Sequence, residues 1–421
     1  MTPISRRTLL TGSALAVATA GLRPVRSSAT GDQLTSWINR NAKPVGDLRH
    51  TIGGAQIAGL GEAAHGTAEI THLKLRAVRD LVEHHGFRSV IFEDDWSLGT
   101  LLNDYVLTGR GDLHALMDEL STEARTHENA ELFQYLRTYN ATHRDKVRFA
   151  GSEYFSTRRL SYEAVAEYVA RRAPHRLAEL HRILDPIKPF TDNMGEYVQW
   201  YYREVKDKAP YVAGAQAVHA LIRELPHRPN DRDHAVTEQH ARQIRSFYTA
   251  FSLPEDEIWA YRDARAAENV RWWHSFTRNK VVYWAATAHT ANAPHLRVTV
   301  PPGPDVRFKP VGAYLRQWYG ARYRSVAYTL DHGTALGPTP LPPAPTDWFE
   351  HQLTATGRDN FLLDLRTKPQ PPAVHAWLNQ PARTRGLAEA GTTSYLTGDS
   401  PSTWFDVVLH TREVTPTHPL N

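Results

Sequence analysis

The 421 residues contain no cysteine. That excludes thiol nucleophiles, disulfide frameworks, iron–sulfur clusters and cysteine-ligated zinc together. No Gly-x-Ser-x-Gly pentapeptide occurs either, so a serine acyl-enzyme on a nucleophile elbow is not expected. Beyond residue 29 no stretch approaches eighteen consecutive apolar residues, and no membrane partner is expected there. An excess of one charge is missing too. Four of the 49 Lys and Arg lie in residues 1–29, which hold no acid, so from Thr30 onward 45 basic residues meet 45 acidic ones. A chain so balanced lacks the basic excess that displaces counterions, and no nucleic-acid partner is expected.

What is present reads differently. Ser5-Arg6-Arg7-Thr8-Leu9-Leu10 is a twin-arginine box, followed by a short small-residue-rich apolar run to Leu22 and by exits at Ala18-Thr19-Ala20 or Ser27-Ser28-Ala29. Residues 1–29 are therefore expected to be an export signal that takes the protein to the cell envelope or medium. The remainder has 11 Trp, 18 Tyr and 13 Phe, enough buriable surface for a globular chain. It also has 22 His, which titrate near neutrality and direct attention to acid–base or metal chemistry.

Short apolar runs at 56–60, 89–92 and 147–150 alternate with helical periodicity at 70–81, 98–120 and 128–143. Further strand signals lie at 281–284, 324–329, 361–364 and 405–409, after a stretch of long amphipathic helices broken by prolines. The pattern predicts an α/β fold, a mainly parallel central sheet flanked by helices, with core segments 30–155 and 279–421 around a large helical insertion at 156–278. The insertion's aromatics (Trp200, Tyr201, Tyr202, Trp259, Tyr261, Trp272, Trp273) either wall an apolar cleft or form its core.

Ligands in open α/β sheets bind beyond the carboxyl ends of the strands. Four predicted strands end in ionisable residues, so Glu62, His65, Glu93, Glu153 and His289 are expected on one rim, where carboxylates support an imidazole general base. Gly66 beside His65 permits close approach. His72, two turns on, either lines the site or packs. His84, His85, His143, His175, His181, His227 and His240 fall in polar segments and are expected to be solvated.

Gly61-Glu62-Ala63-Ala64-His65-Gly66-Thr67-Ala68-Glu69, followed by Gly86-Phe87-Arg88-Ser89-Val90-Ile91-Phe92-Glu93, resembles the opening of the erythromycin esterase family, with its GE-x-x-HG-x-x-E and GF-x-x-(apolar)-E patterns. The segment from Arg262-Asp263 through Trp272-Trp273 and the strand from Lys280 to His289 are similar to later family motifs, and the resemblance spans roughly residues 35–335. It implies that His65 is a general base activating water against a lactone and that Glu62 and Glu93 orient it; on a hydrolase reading, Lys74 and His289 are expected to stabilise the oxyanion. Glu69, His72, Glu153, Arg262 and Asp263 are expected to bind the substrate, a lactone or polyketide-like ester, and no cofactor or metal is expected. Two positions depart from the family pattern: Ala286 replaces the first His of W-A-H-N-x-H, and Lys74 replaces an Arg, losing the planar fork. The altered half leaves open a second chemistry on the same base, namely cyclisation, elimination or intramolecular acyl transfer. A metal- or haem-binding protein is a third class, with no HExxH to support it.

Overall fold

The computed structural model describes residues 31–154, 157–301, 303, 305–386 and 393–420; the twin-arginine segment lies outside them. Twelve strands are described: β1 Ile57–Glu62, β2 Phe87–Asp95, β3 Arg148–Glu153, β4 Lys280–Ala286, β5 Arg297–Thr299, β6 Val306–Arg307, β7 Tyr323–Ala335, β8 Thr339–Leu341, β9 Asn360–Asp364, β10 Thr384–Arg385, β11 Tyr395–Thr397 and β12 Val407–Val414. Eight make the main sheet in the order β3-β2-β4-β1-β7-β12-β9, with β8 paired to β7. β3, β2, β4, β1, β7 and β12 run parallel, while β9 and β8 are antiparallel additions. The four short strands β5, β6, β10 and β11 form a separate antiparallel sheet.

Residues of the central strands alternate between two cores, as a sheet covered on both faces requires. Ala58, Leu60, Val282 and Trp284 pack with helix Ala68–His85 and helix His127–Thr142 through Val78, Leu81 and Phe133. Ile57, Val281, Tyr283 and Ala285 point the other way, against Ala266, Val270 and Trp273 of helix Glu255–Thr277 and Leu315 of helix Val311–Tyr319.

Five helices between Arg159 and Ala250 bury a core of their own, including Tyr162, Tyr197, Tyr201, Phe247 and Tyr248. Tyrosine bodies fill this core while their hydroxyls bond one another and the Ile187 carbonyl, Tyr197 to Tyr248 at 2.6 Å and Tyr162 to Tyr248 at 3.1 Å. Tyr201 therefore belongs to a core rather than a cleft wall, and Trp273 likewise lies in the core beneath the sheet. His240, expected to be solvated, is buried instead: it bonds Ser161 Oγ at 3.0 Å, meets the Trp96 ring edge-on, and burial pushes its pKa down to about 4. The other six histidines of that group are exposed or half-buried.

Candidate active site

β1 is the central strand, and its last residue, Glu62, leads into a loop that carries His65 and Gly66 to the start of helix Ala68–His85. Gly66 has φ of 68°, and a Cβ there would sit 2.4 Å from Leu336 Cβ, so the turn presenting His65 requires glycine. On the helix, Lys74 occupies a core-facing position between Ile70 and Val78 and is fully buried. A buried ammonium needs a partner. Lys74 Nζ donates to Glu62 Oε2 at 2.5 Å and lies 4.2 Å from the centre of the Trp284 ring. Glu62 Oε1 is in turn 2.5 Å from His65 Nδ1. Lysine, glutamate and histidine thus form a line, with the carboxylate fixing the imidazole and its tautomer. Burial alone raises the Glu62 pKa, but the charge of Lys74 and the hydrogen bond to His65 outweigh it, and the net direction is down. Burial brings Lys74 down to about 8, with Glu62 opposing.

A second cluster shares the rim. β2 loses register with β3 between Phe92 and Asp95, an irregularity of the kind that re-aims side chains beside sites. There Glu93 accepts Arg262 Nη2 on one oxygen at 2.7 Å and the Ala286 amide on the other at 2.8 Å, the latter oxygen lying 4.0 Å from His65 Nε2. Arg262 also donates to both oxygens of Glu153, at 3.0 and 3.1 Å, and to His289 Nε2 at 2.6 Å. His289 Nδ1 meets the Asp263 carboxylate at 2.9 Å, and Asp263 accepts the Val311 amide at 3.0 Å. Helix Glu255–Thr277 therefore inserts its Arg262-Asp263 pair beneath the sheet's carboxyl edge. Burial pushes Arg262 down, but the three surrounding carboxylates prevail and hold it well above its ordinary value; Glu153 is pushed up by burial despite Arg262. Four carboxylates (Glu62, Glu93, Glu153, Asp263) are thus held among two cations, Lys74 and Arg262, and two imidazoles, His65 and His289.

Of the sequence-predicted residues, the structure brings together Glu62, His65, Lys74, Glu93, Glu153, Arg262, Asp263 and His289. Lys74 and His289, expected to face an oxyanion, bond Glu62 and the Arg262–Asp263 pair respectively. Arg262 and Asp263, expected to touch substrate, are buried, the arginine behind the acids it holds and the aspartate against His289 and the Val311 amide. Glu69 and His72 lie elsewhere: Glu69 accepts the Thr415 amide and hydroxyl at 2.7 Å, and both residues line a cavity of about 660 Å³ beside β12. Next to His65 is a smaller cavity of about 30 Å³, bounded by Glu62, Glu93, Trp284, Ser121, Glu123 and Asn129, room for roughly one water molecule. Trp284 was legible only as a strand residue, and Ser121, Glu123 and Asn129 carry no motif that spacing could have disclosed.

Among the described residues, no group of three or more His, Asp or Glu is arranged to hold a metal ion. None of their helices is long and apolar enough to cross a membrane.

Three solved structures share the fold. A Bacillus cereus protein superposes with a TM-score of 0.79 at 24% identity, over 93% of this chain and 100% of its own. A succinoglycan biosynthesis protein gives 0.76 at 23% identity, over 92% and 98%. A mutant erythromycin esterase in its open conformation gives 0.67 at 18% identity, over 89% and 94%. No curated protein matches the chain. The erythromycin esterase family model matches residues 82–414, and the chain belongs to that family.

Proposed function

We propose that the protein hydrolyses an ester or lactone of a natural product, with His65 as general base. The observation that carries this is the line Lys74–Glu62–His65 ending at a cavity sized for one water between His65 and Glu93. Glu62 accepts from Nδ1–H, which puts the lone pair of the neutral ring on Nε2, the nitrogen that acts as base. The imidazole takes a proton from water as the water oxygen bonds the ester carbonyl carbon; the tetrahedral intermediate then expels the alkoxide, which takes that proton back. One water is consumed and an acid and an alcohol leave. Glu62, with Glu93 near the opposite nitrogen, stabilises the imidazolium formed in between. Family membership supports the hydrolase class, and the twin-arginine box supports export of the enzyme.

The test is mass spectrometry of products from a panel of esters and lactones. Hydrolysis adds one water to the substrate mass and depends on His65. A second reading, cyclisation or intramolecular acyl transfer on the same base, is favoured by one observation: Ala286 leaves the rim one imidazole short of the family pattern. His65-dependent product of unchanged mass would replace the first reading by the second.

A further inference from the structure

A cavity of about 30 Å³ holds a water but not an ester, so the walls around His65 must separate before any substrate reaches it. One wall carries His65, at the head of the loop that continues through Gly66 and Thr67; another is lined by Ser121, Glu123, Ala124 and Asn129. Residues 415–420 bond both. Thr417 N donates to Gly66 O, Ala68 N donates to Thr415 O, and Thr67 bridges Pro416 on the first wall. On the second, His127 N donates to His418 O, Leu420 N donates to Arg125 O, Thr126 bridges Pro419, and His418 Nδ1 meets Glu128 at 2.8 Å. Of these six strap residues only Thr417 is buried, and Leu420 packs half-buried against the core, so the strap is held mainly by hydrogen bonds, the pattern of a segment that opens locally at low cost. Its near end leaves the rim of the 660 Å³ cavity, where Arg412 and Glu413 are lining residues and Glu69 clamps Thr415.

We propose that the 415–420 strap is a latch: released, it lets the walls part and joins the His65 cavity to the neighbouring polar cavity as one cleft. Nine of that cavity's ten lining residues are polar or ionisable, and its arginines (Arg76, Arg412) are offset by carboxylates (Glu69, Asp359, Glu413). Such a lining takes an uncharged, hydroxyl-rich group, so the substrate is an ester whose remote part resembles a sugar. This substrate class rests on the hydrolase reading; the latch does not.

The cysteine-free chain gives a clean test. Thr67 and Pro416 form an antiparallel bridge, a pairing that puts Cα atoms about 4.5–5.5 Å apart, within the range a disulfide spans. In a Thr67→Cys/Pro416→Cys double variant, oxidation, verified by intact mass, locks the strap. Diethyl pyrocarbonate labelling of each histidine, mapped by peptide mass, is then compared with the reduced state. Labelling of His65 falls about tenfold on oxidation and returns with reductant, while exposed His84 labels equally in both. Equal His65 labelling in both states overturns the latch. Should the double variant fail to fold, Thr415→Ala/His418→Ala loosens the ties and speeds His65 labelling; no change overturns the latch equally. In the wild type, methyl glucoside protects His72 and His332 of the polar cavity from labelling and butanol does not; absence of protection overturns the assignment of that cavity. Because labelling needs no turnover, a failure to hydrolyse esters counts against the proposed function alone.

Discussion

Lys74 donates to the oxygen of Glu62 opposite the one that holds His65, so the protonation of one buried amine reaches the ring through a single carboxylate. Burial brings the lysine to about 8 from its ordinary 10.5. Between those values the folded protein binds fewer protons than the unfolded chain, so this group's contribution to stability rises with pH across that window and is unfavourable below it. Activity moves the other way, because above about pH 8 Glu62 loses its cationic partner. The expected result is a fall in kcat/KM above about pH 8 while the urea midpoint is held or raised. Lys74→Arg keeps its charge across the range and moves the alkaline limb upward. An unchanged limb in Lys74→Arg would detach Lys74 from the chemistry.

His65→Ala is expected to lose roughly two to four orders of magnitude in rate, the usual share of a positioned base, with its thermal transition little changed. Glu62→Gln acts on both properties. It loosens the ring and leaves Lys74 buried without its counter-charge, which costs about 3–5 kcal/mol. Adding Lys74→Met to Glu62→Gln should recover most of that stability and none of the rate. Recovery of rate in the double variant would mean that the carboxylate serves Lys74 rather than His65.

All six parallel strands of the main sheet were legible as apolar runs, because strands covered on both faces have no polar side to interrupt them. The antiparallel edge strand β9 also showed as the run Phe361-Leu362-Leu363. β5, β6, β10 and β11 did not, since strands of two or three residues are fixed by tertiary pairing rather than by pattern. Glu62, His65 and Glu93 were readable because strand ends converge on one rim. The roles of Arg262 and Asp263 were not: their positions on helix Glu255–Thr277 say that one face is buried, but only packing against the sheet decides that this face meets Glu93, Glu153 and His289. His240 shows the same limit from the other side. Its polar neighbours Thr237, Gln239 and Gln243 are buried too, the two glutamines against Asn269, and the face His240 occupies is closed by Trp96 and Ser161 from elsewhere in the chain.

Arg262 joins three partners through one planar fork, and no other side chain can serve them together. Arg262→Lys reaches at most part of the set, and Arg262→Met leaves Glu93 and Glu153 facing each other without a cation. The methionine variant is expected to lose about 3–5 kcal/mol of stability, with the lysine variant between it and wild type. Thermal or urea unfolding monitored by circular dichroism reads this directly. A methionine variant as stable as wild type would show that the acids are neutral in the folded protein and that Arg262 is not their counter-ion.

Ala286 pairs in register with Glu62 across β1 and β4, so a side chain at 286 projects on the same face as Glu62, next in sequence to Trp284 and Ala285, which line the His65 cavity. An imidazole there would add a proton donor close to where the ester carbonyl must sit, a transition-state hydrogen bond worth about 3 kcal/mol. In this chain the position offers a methyl group, and the Ala286 amide is already committed to Glu93. Poor cleavage of erythromycin-type lactones is therefore expected from the wild type, alongside turnover of smaller or more polar esters that need only one base. Ala286→His should gain lactone cleavage, at a stability cost of about 1–3 kcal/mol because the ring must be fitted into a packed position. Liquid chromatography of erythromycin incubated with each protein decides between the outcomes: efficient cleavage by the wild type would show that the missing imidazole is dispensable, and a folded Ala286→His variant with no gain would show that something other than that donor limits the reaction.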